Sequence, residues 1–185
     1  MRLFLHGPLT RWLARPRVLP ALAGATVLAI LLFQWPASPA ASSHFQALVG
    51  APPFDERVAG YQLSGMMADM HLLGEAGVRQ YEAYRLLDLV FPWLLCGLVG
   101  AMLVRLQAAA ALPLALLAAL LDTAENLALG WLLLTRADPS AQLVPWASLL
   151  TQLKFAAYSL MLLGLLVAGG RYLWRARHAA PGALR

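Results

Sequence analysis

Residues 112–134 read LPLALLAALLDTAENLALGWLLL. A helix that crosses a bilayer needs about 20 mainly apolar residues to traverse roughly 30 Å of hydrocarbon at about 1.5 Å per residue. This stretch meets the requirement, yet its middle carries Asp122, Glu125 and Asn126. Spaced i, i+3 and i+4, these share an arc of about 100° on a helix, while Leu117, Leu120, Leu121 and Leu127 fill most of the remainder. A charge at the bilayer centre costs at least ~2.5–3.5 kcal/mol on insertion scales and turns toward protein. The polar face therefore calls for a partner helix.

The stretch Pro145–Gly169 supplies one. Ser148, Thr151, Lys154, Phe155, Tyr158 and Ser159 form a stripe along it, with Gln152 at the flank. Glu125 lies nine residues below Leu134, and Lys154 lies nine below Pro145. Both are thus about 13–14 Å deep if the two helices are antiparallel neighbours. The counting predicts a Glu125–Lys154 ion pair. One turn deeper, Asp122 falls level with Tyr158, whose hydroxyl can donate to it.

Two further stretches, Val18–Trp35 and Leu86–Val104, are long and apolar enough to span. A closed barrel is excluded because its strands need only about 10 alternating residues. The expected fold is all-α: an integral membrane four-helix bundle with an amphipathic extracytoplasmic helical segment. Composition agrees. Of 185 residues 61% are hydrophobic and 12% charged, against roughly 45–50% and about 25% in soluble domains. Disordered, collagen-like and disulfide-built chains are excluded, and the single cysteine, Cys96, permits no internal disulfide. No Gly-rich phosphate loop, HExxH, GxSxG or paired CxxC occurs, so the common soluble catalytic signatures are missing.

Basic residues in short flanking segments stay cytoplasmic. Arg2, Arg11, Arg15 and Arg17 precede the first span, Arg105 follows the second, and Arg171, Arg175, Arg177 and Arg185 follow the fourth. The opposite side mixes Arg57, Arg79, Arg85 and Arg136 with Asp55, Glu56, Asp69, Glu75, Glu82 and Asp138. The expected organisation is a basic cytoplasmic N-terminus (1–17), spans at 18–35, 86–104, 112–134 and 145–169, an outer loop at 36–85, and a basic cytoplasmic tail at 170–185. This places the chain in a cell inner membrane as a multi-pass protein with both termini cytoplasmic. The net charge of +5 is then topological, and no clustered basic-aromatic face suits nucleic acid. Small residues after Trp35 allow signal-peptidase cleavage after Ala40. The apolar stretch, about 18 residues, exceeds the usual 7–15 of a signal peptide, which favours a retained anchor.

In the outer loop, Pro36, Pro39, Pro52 and Pro53 predict an irregular stretch over 36–53. Phe54-Asp55-Glu56-Arg57 reads as an acidic helix start. Tyr61, Leu63, Met66, Met67, Met70 and Leu73 recur at helical spacing, and this side is read as lying on the bundle or bilayer. Gly74 is placed to end that helix and Glu75 to start another, on which Tyr81, Tyr84 and Asp88 share a face. Tyr61, Tyr81, Tyr84, Trp93 and Trp146 are assigned to an interfacial belt. His71 and Glu75 are four apart, with His44 elsewhere, which is too little for a metal site. No metal and no cofactor is expected.

Asp88 sits beside Arg85 and before Phe91-Pro92-Trp93, where Pro92 is expected to kink the helix. The charge count is then uneven: Asp88, Asp122 and Glu125 against Lys154, with Arg85 compensating only near the interface. Either a proton resides on Asp122 or something positive enters from outside. The expected site is Asp88, Asp122, Glu125, Asn126, Gln152, Lys154 and Tyr158, binding or passing a small cationic or protonatable ligand or protons. In that scheme Glu125 and Lys154 form a switchable pair, Asp122 accepts protons, Asn126, Gln152 and Tyr158 orient, and Asp88 guards the entrance. The same residues would serve a membrane-embedded enzyme acting as acid and base on a lipid or isoprenoid-like chain. A structural subunit of a membrane complex, using polar residues as interhelical glue, is the third reading. The bilayer is the expected partner, with a small ligand or lipid at the site.

Overall fold

The computed structural model describes residues 7–178; Arg2 and Arg185 of the topological count lie outside them. The described residues form α1 (Pro8–Leu13), α2 (Val18–Gln34), α3 (Ser42–Val49), α4 (Leu63–Asp88), α5 (Phe91–Arg105), α6 (Leu112–Leu134) and α7 (Leu143–His178). Single 3-10 turns occur at Phe54–Glu56 and Ala109–Ala111. Among the described residues there is no strand. Three helical paths are long and apolar enough to cross a membrane: Leu63–Arg105, Ala109–Leu134 and Leu143–His178. The apolar α2 is shorter, at 17 residues.

Helix α6 packs most extensively on α7, α2 on α5, α3 on α4, and α5 on α6. Small residues permit these approaches. A Cβ on Gly97 would stand 3.4 Å from Leu22 of α2, and one on Gly100 would stand 3.2 Å from Leu112 and 3.4 Å from Leu13. Below the polar residues, Cys96, Val99 and Leu103 of α5 interlock with Ala115, Ala118 and Ala119 of α6 and Ala157 and Met161 of α7. A second core forms between residues 42–88 and α6, where Phe45, Phe54, Met66, Met70, Tyr81 and Tyr84 pack on Leu129, Leu132 and Leu133.

Several sequence expectations change. The stretch 36–53 is not irregular throughout, because Ser42–Val49 contains no proline and buries Phe45, which makes a helix worthwhile. Gly50, at φ +75°, ends it in the left-handed conformation that glycine adopts without penalty. Phe54–Glu56 is one 3-10 turn and no helix start; α4 begins at Leu63 after the turn at Gly60. Gly74 does interrupt α4 (φ +57°, ψ −172°). Pro92 begins a helix instead of kinking one: α4 ends at Asp88, and Pro92 occupies the first turn of α5, where its missing N–H leaves no bond unmade. The tail expected from residue 170 continues α7 as helix to His178.

Candidate functional site

The antiparallel packing of α6 on α7 brings the two polar stripes together. Lys154 Nζ lies 2.5 Å from Glu125 Oε2 and 3.4 Å from Asp122 Oδ1. Glu125, fully buried at 0% exposure, also accepts from the Thr151 hydroxyl. Asp122 is surrounded by donors: the Tyr158 hydroxyl at 2.8 Å on Oδ2, and Asn126 Nδ2 at 3.0 Å with Lys154 on Oδ1. Asn126 spends its other N–H on Asp88 Oδ2 at 2.7 Å. One side-chain amide thus bridges the end of α4 to α6. Its carbonyl oxygen, Oδ1, is buried without a hydrogen-bond partner among the described residues.

Asp88 is 6% exposed and takes that single amide donor. Arg85, the expected compensator, faces elsewhere. Its Nη1 donates to the Asn126 backbone carbonyl at 3.0 Å, and its guanidinium lies against Gly130, where a Cβ would stand 2.7 Å from Nη1. Among the described residues no basic group stands within ion-pair distance of Asp88.

The structure adds a fourth carboxylate, one that the sequence reading placed at an acidic helix start in the outer loop. Asp55 is 4% exposed, held by Tyr81 OH at 3.0 Å and Tyr84 OH at 2.7 Å. Those tyrosines are accordingly buried and do not form part of an interfacial belt. The sequence signal was present in part: Tyr81 and Tyr84 share a helical face with Asp88, and two phenols on one buried face need an acceptor. Glu56, next along the turn, is 3.0 Å from the same Tyr84 hydroxyl. Partial burial first, and the neighbouring Asp55 carboxylate second, push its pKa up from the ordinary carboxyl value.

Gln152 does not join the cluster. It is exposed on the far flank of the stripe, and its Nε2 donates to the Ala59 carbonyl at 3.2 Å. With Ser148 Oγ, which accepts from Tyr61 N at 2.9 Å, it fastens the outer segment to α7. Gly60 (φ +80°) makes this approach feasible, since a Cβ there would collide with Ser148 and Gln152.

A cleft of about 470 Å³ runs along these groups. Asp55, Glu56, Asp88, Asp122 and Lys154 are on one wall, and α2 closes the other with Ile30, Phe33 and Gln34. A larger hollow, about 640 Å³, lies between α4 and the end of α6. It is lined by Met67, His71 and Glu75, with Arg136 Nη2 donating to both Glu75 carboxylate oxygens at 2.7 and 2.8 Å. His44 is remote from that pair, bonded to the Ser38 carbonyl at 3.0 Å.

No protein-family model matches the chain, and no curated protein or solved structure is significantly similar to it. Chemistry must be read from the geometry. Four carboxylates line the cleft against one ammonium, and that ammonium already serves Glu125 and Asp122. The cluster offers acceptors in excess of donors.

Proposed function

We propose that this is a multi-pass inner-membrane protein, with α2 as a fourth and shorter span and both termini cytoplasmic, whose intramembrane polar site binds or passes a small cationic or protonatable ligand or protons. One observation carries the reading: Asp55 and Asp88 are both buried along the same cleft, and neither has a cation within ion-pair distance among the described residues. An isolated buried carboxylate is costly, and it recovers that cost by taking a proton or a cation. Asp88 is the proposed acceptor. Asp122 already holds three donors and serves to position Asn126 and Lys154. Glu125 and Lys154 fix the facing helices, and Tyr158 fixes Asp122.

Native mass spectrometry of the full chain in mild detergent, combined with proton uptake measured on acidification, tests this. The wild type should carry a bound basic molecule or take up protons in excess of Asp88→Asn. If Asp88→Asn and the wild type match in bound mass and in proton uptake, the site has neither role.

A further inference from the structure

The walls of the cleft differ from top to bottom. Asp55, Glu56 and Asp88, on the 3-10 turn and the end of α4, line one end, Asp122 of α6 and Tyr158 of α7 follow, and Leu95, Met161 and Leu162 line the other end. Leu95 is seven residues along from Asp88, and Leu162 eight along from Lys154. The apolar end therefore lies about 10–12 Å along from Asp88 and Lys154, and about 6 Å, one helical turn, beyond Tyr158 and the Asp122 it bonds. Ile30 of α2 and Leu162 of α7 line opposite sides and remain 43% and 48% exposed. Helix α2 packs on α5 and α7 on α6, and α2 and α7 do not pack closely on each other, so the cleft lies between them with these two half-exposed apolar side chains at its edge. A small hydrated cation has no use for such a slot. A molecule with one apolar chain and a cationic head matches both halves, and a primary ammonium brings three N–H donors to a cluster rich in acceptors.

We infer that the ligand is a single-chain amphiphile with a primary ammonium head, which enters from the bilayer between α2 and α7 and sets its head beside Asp88 and Asp55 with its chain toward Leu95 and Leu162. The inference rests on the cation-binding reading above and adds the chain and the lateral route.

The test uses the full chain in phosphatidylcholine nanodiscs and dodecylamine carrying a diazirine at the chain terminus, with labelled residues located by peptide mass spectrometry. Labelling is expected on α2 and α7 around Ile30 and Leu162. Unlabelled dodecylamine should compete about tenfold or more better than propylamine, because membrane partitioning concentrates it at the slot, and dodecanol should not compete. Ile30→Trp, at an exposed position that threatens no core, should cut the labelling severalfold. A matched experiment in nanodiscs containing lysophosphatidylethanolamine, which has one chain and a primary ammonium, identifies the source: suppressed labelling points to a single-chain lipid headgroup, and unchanged labelling to a free amine. Equal competition by propylamine and dodecylamine, or labelling away from α2 and α7, overturns the inference while leaving a cation site. Equal competition by dodecanol overturns the cation site as well.

Discussion

Replacing Lys154 by methionine removes the ammonium that stands 2.5 Å from Glu125 and 3.4 Å from Asp122 while keeping most of the side-chain volume. Glu125, at 0% exposure, would be left with the Thr151 hydroxyl as its donor. Breaking a buried pair by deleting one partner costs about 3–5 kcal/mol. Neutralising the acid at the same time, in Glu125→Gln/Lys154→Met, removes the stranded charge and should restore most of that loss. Asp122 keeps Asn126 and Tyr158 as donors in both variants. The double-mutant cycle should therefore give a coupling of about 2 kcal/mol or more between positions 125 and 154. Ordinary interhelical hydrogen bonds in membranes average only about 0.6 kcal/mol, so the magnitude separates a buried ion pair from polar glue. Equilibrium unfolding of the wild type, both single variants and the double variant in mild detergent measures it. A coupling at or below the level of ordinary glue would refute the claim that this pair holds α6 to α7.

Two further outcomes follow from individual contacts. Gly130→Ala should move the Arg85 guanidinium off the Asn126 carbonyl and lower stability by about 1 kcal/mol, because the new Cβ would stand 2.7 Å from Arg85 Nη1. The loss should vanish in an Arg85→Ala background, and Gly164→Ala, whose nearest neighbour would be 3.8 Å away, should be neutral in the same unfolding assay. At Glu56 burial and the adjacent Asp55 raise the folded-state pKa, so the protonated form fits the fold better. The benefit is full below the ordinary carboxyl range near ~4.3 and is lost as pH rises through the raised value. Glu56→Gln should match the wild type near pH 4 and melt at a higher temperature by pH 8; a constant difference across that range would contradict the assignment.

The three long apolar helices and the Glu125–Lys154 pair were legible because span length and helix rise impose simple arithmetic. Helix length follows from hydrocarbon thickness, and the levels of Glu125 and Lys154 follow from counting down two antiparallel helices of equal rise. Residue-level expectations for the outer segment transferred poorly. Asp55 sits in a charged tripeptide with Glu56 and Arg57, and nothing local distinguishes it from a solvated acid. Its burial depends on Tyr81 and Tyr84, 26 and 29 residues later in the chain. Arg85 was paired with Asp88 by proximity in sequence, but positions three apart can point to different neighbours when one residue of the facing helix, Gly130, leaves a hollow. Gln152 was included at the edge of a stripe whose inward arc proved narrower than its polar arc.

Helix α7 runs without interruption for 36 residues, about 54 Å at the usual rise, which is far more than roughly 30 Å of hydrocarbon can contain. In a bilayer its final turns, bearing Arg171, Arg175 and Arg177, would project as a stiff rod on the same axis that carries Lys154. A folded helical protein spliced in register onto that rod would be held rigidly, giving this 20.0 kDa chain the extra mass and shape that single-particle imaging of its cleft requires.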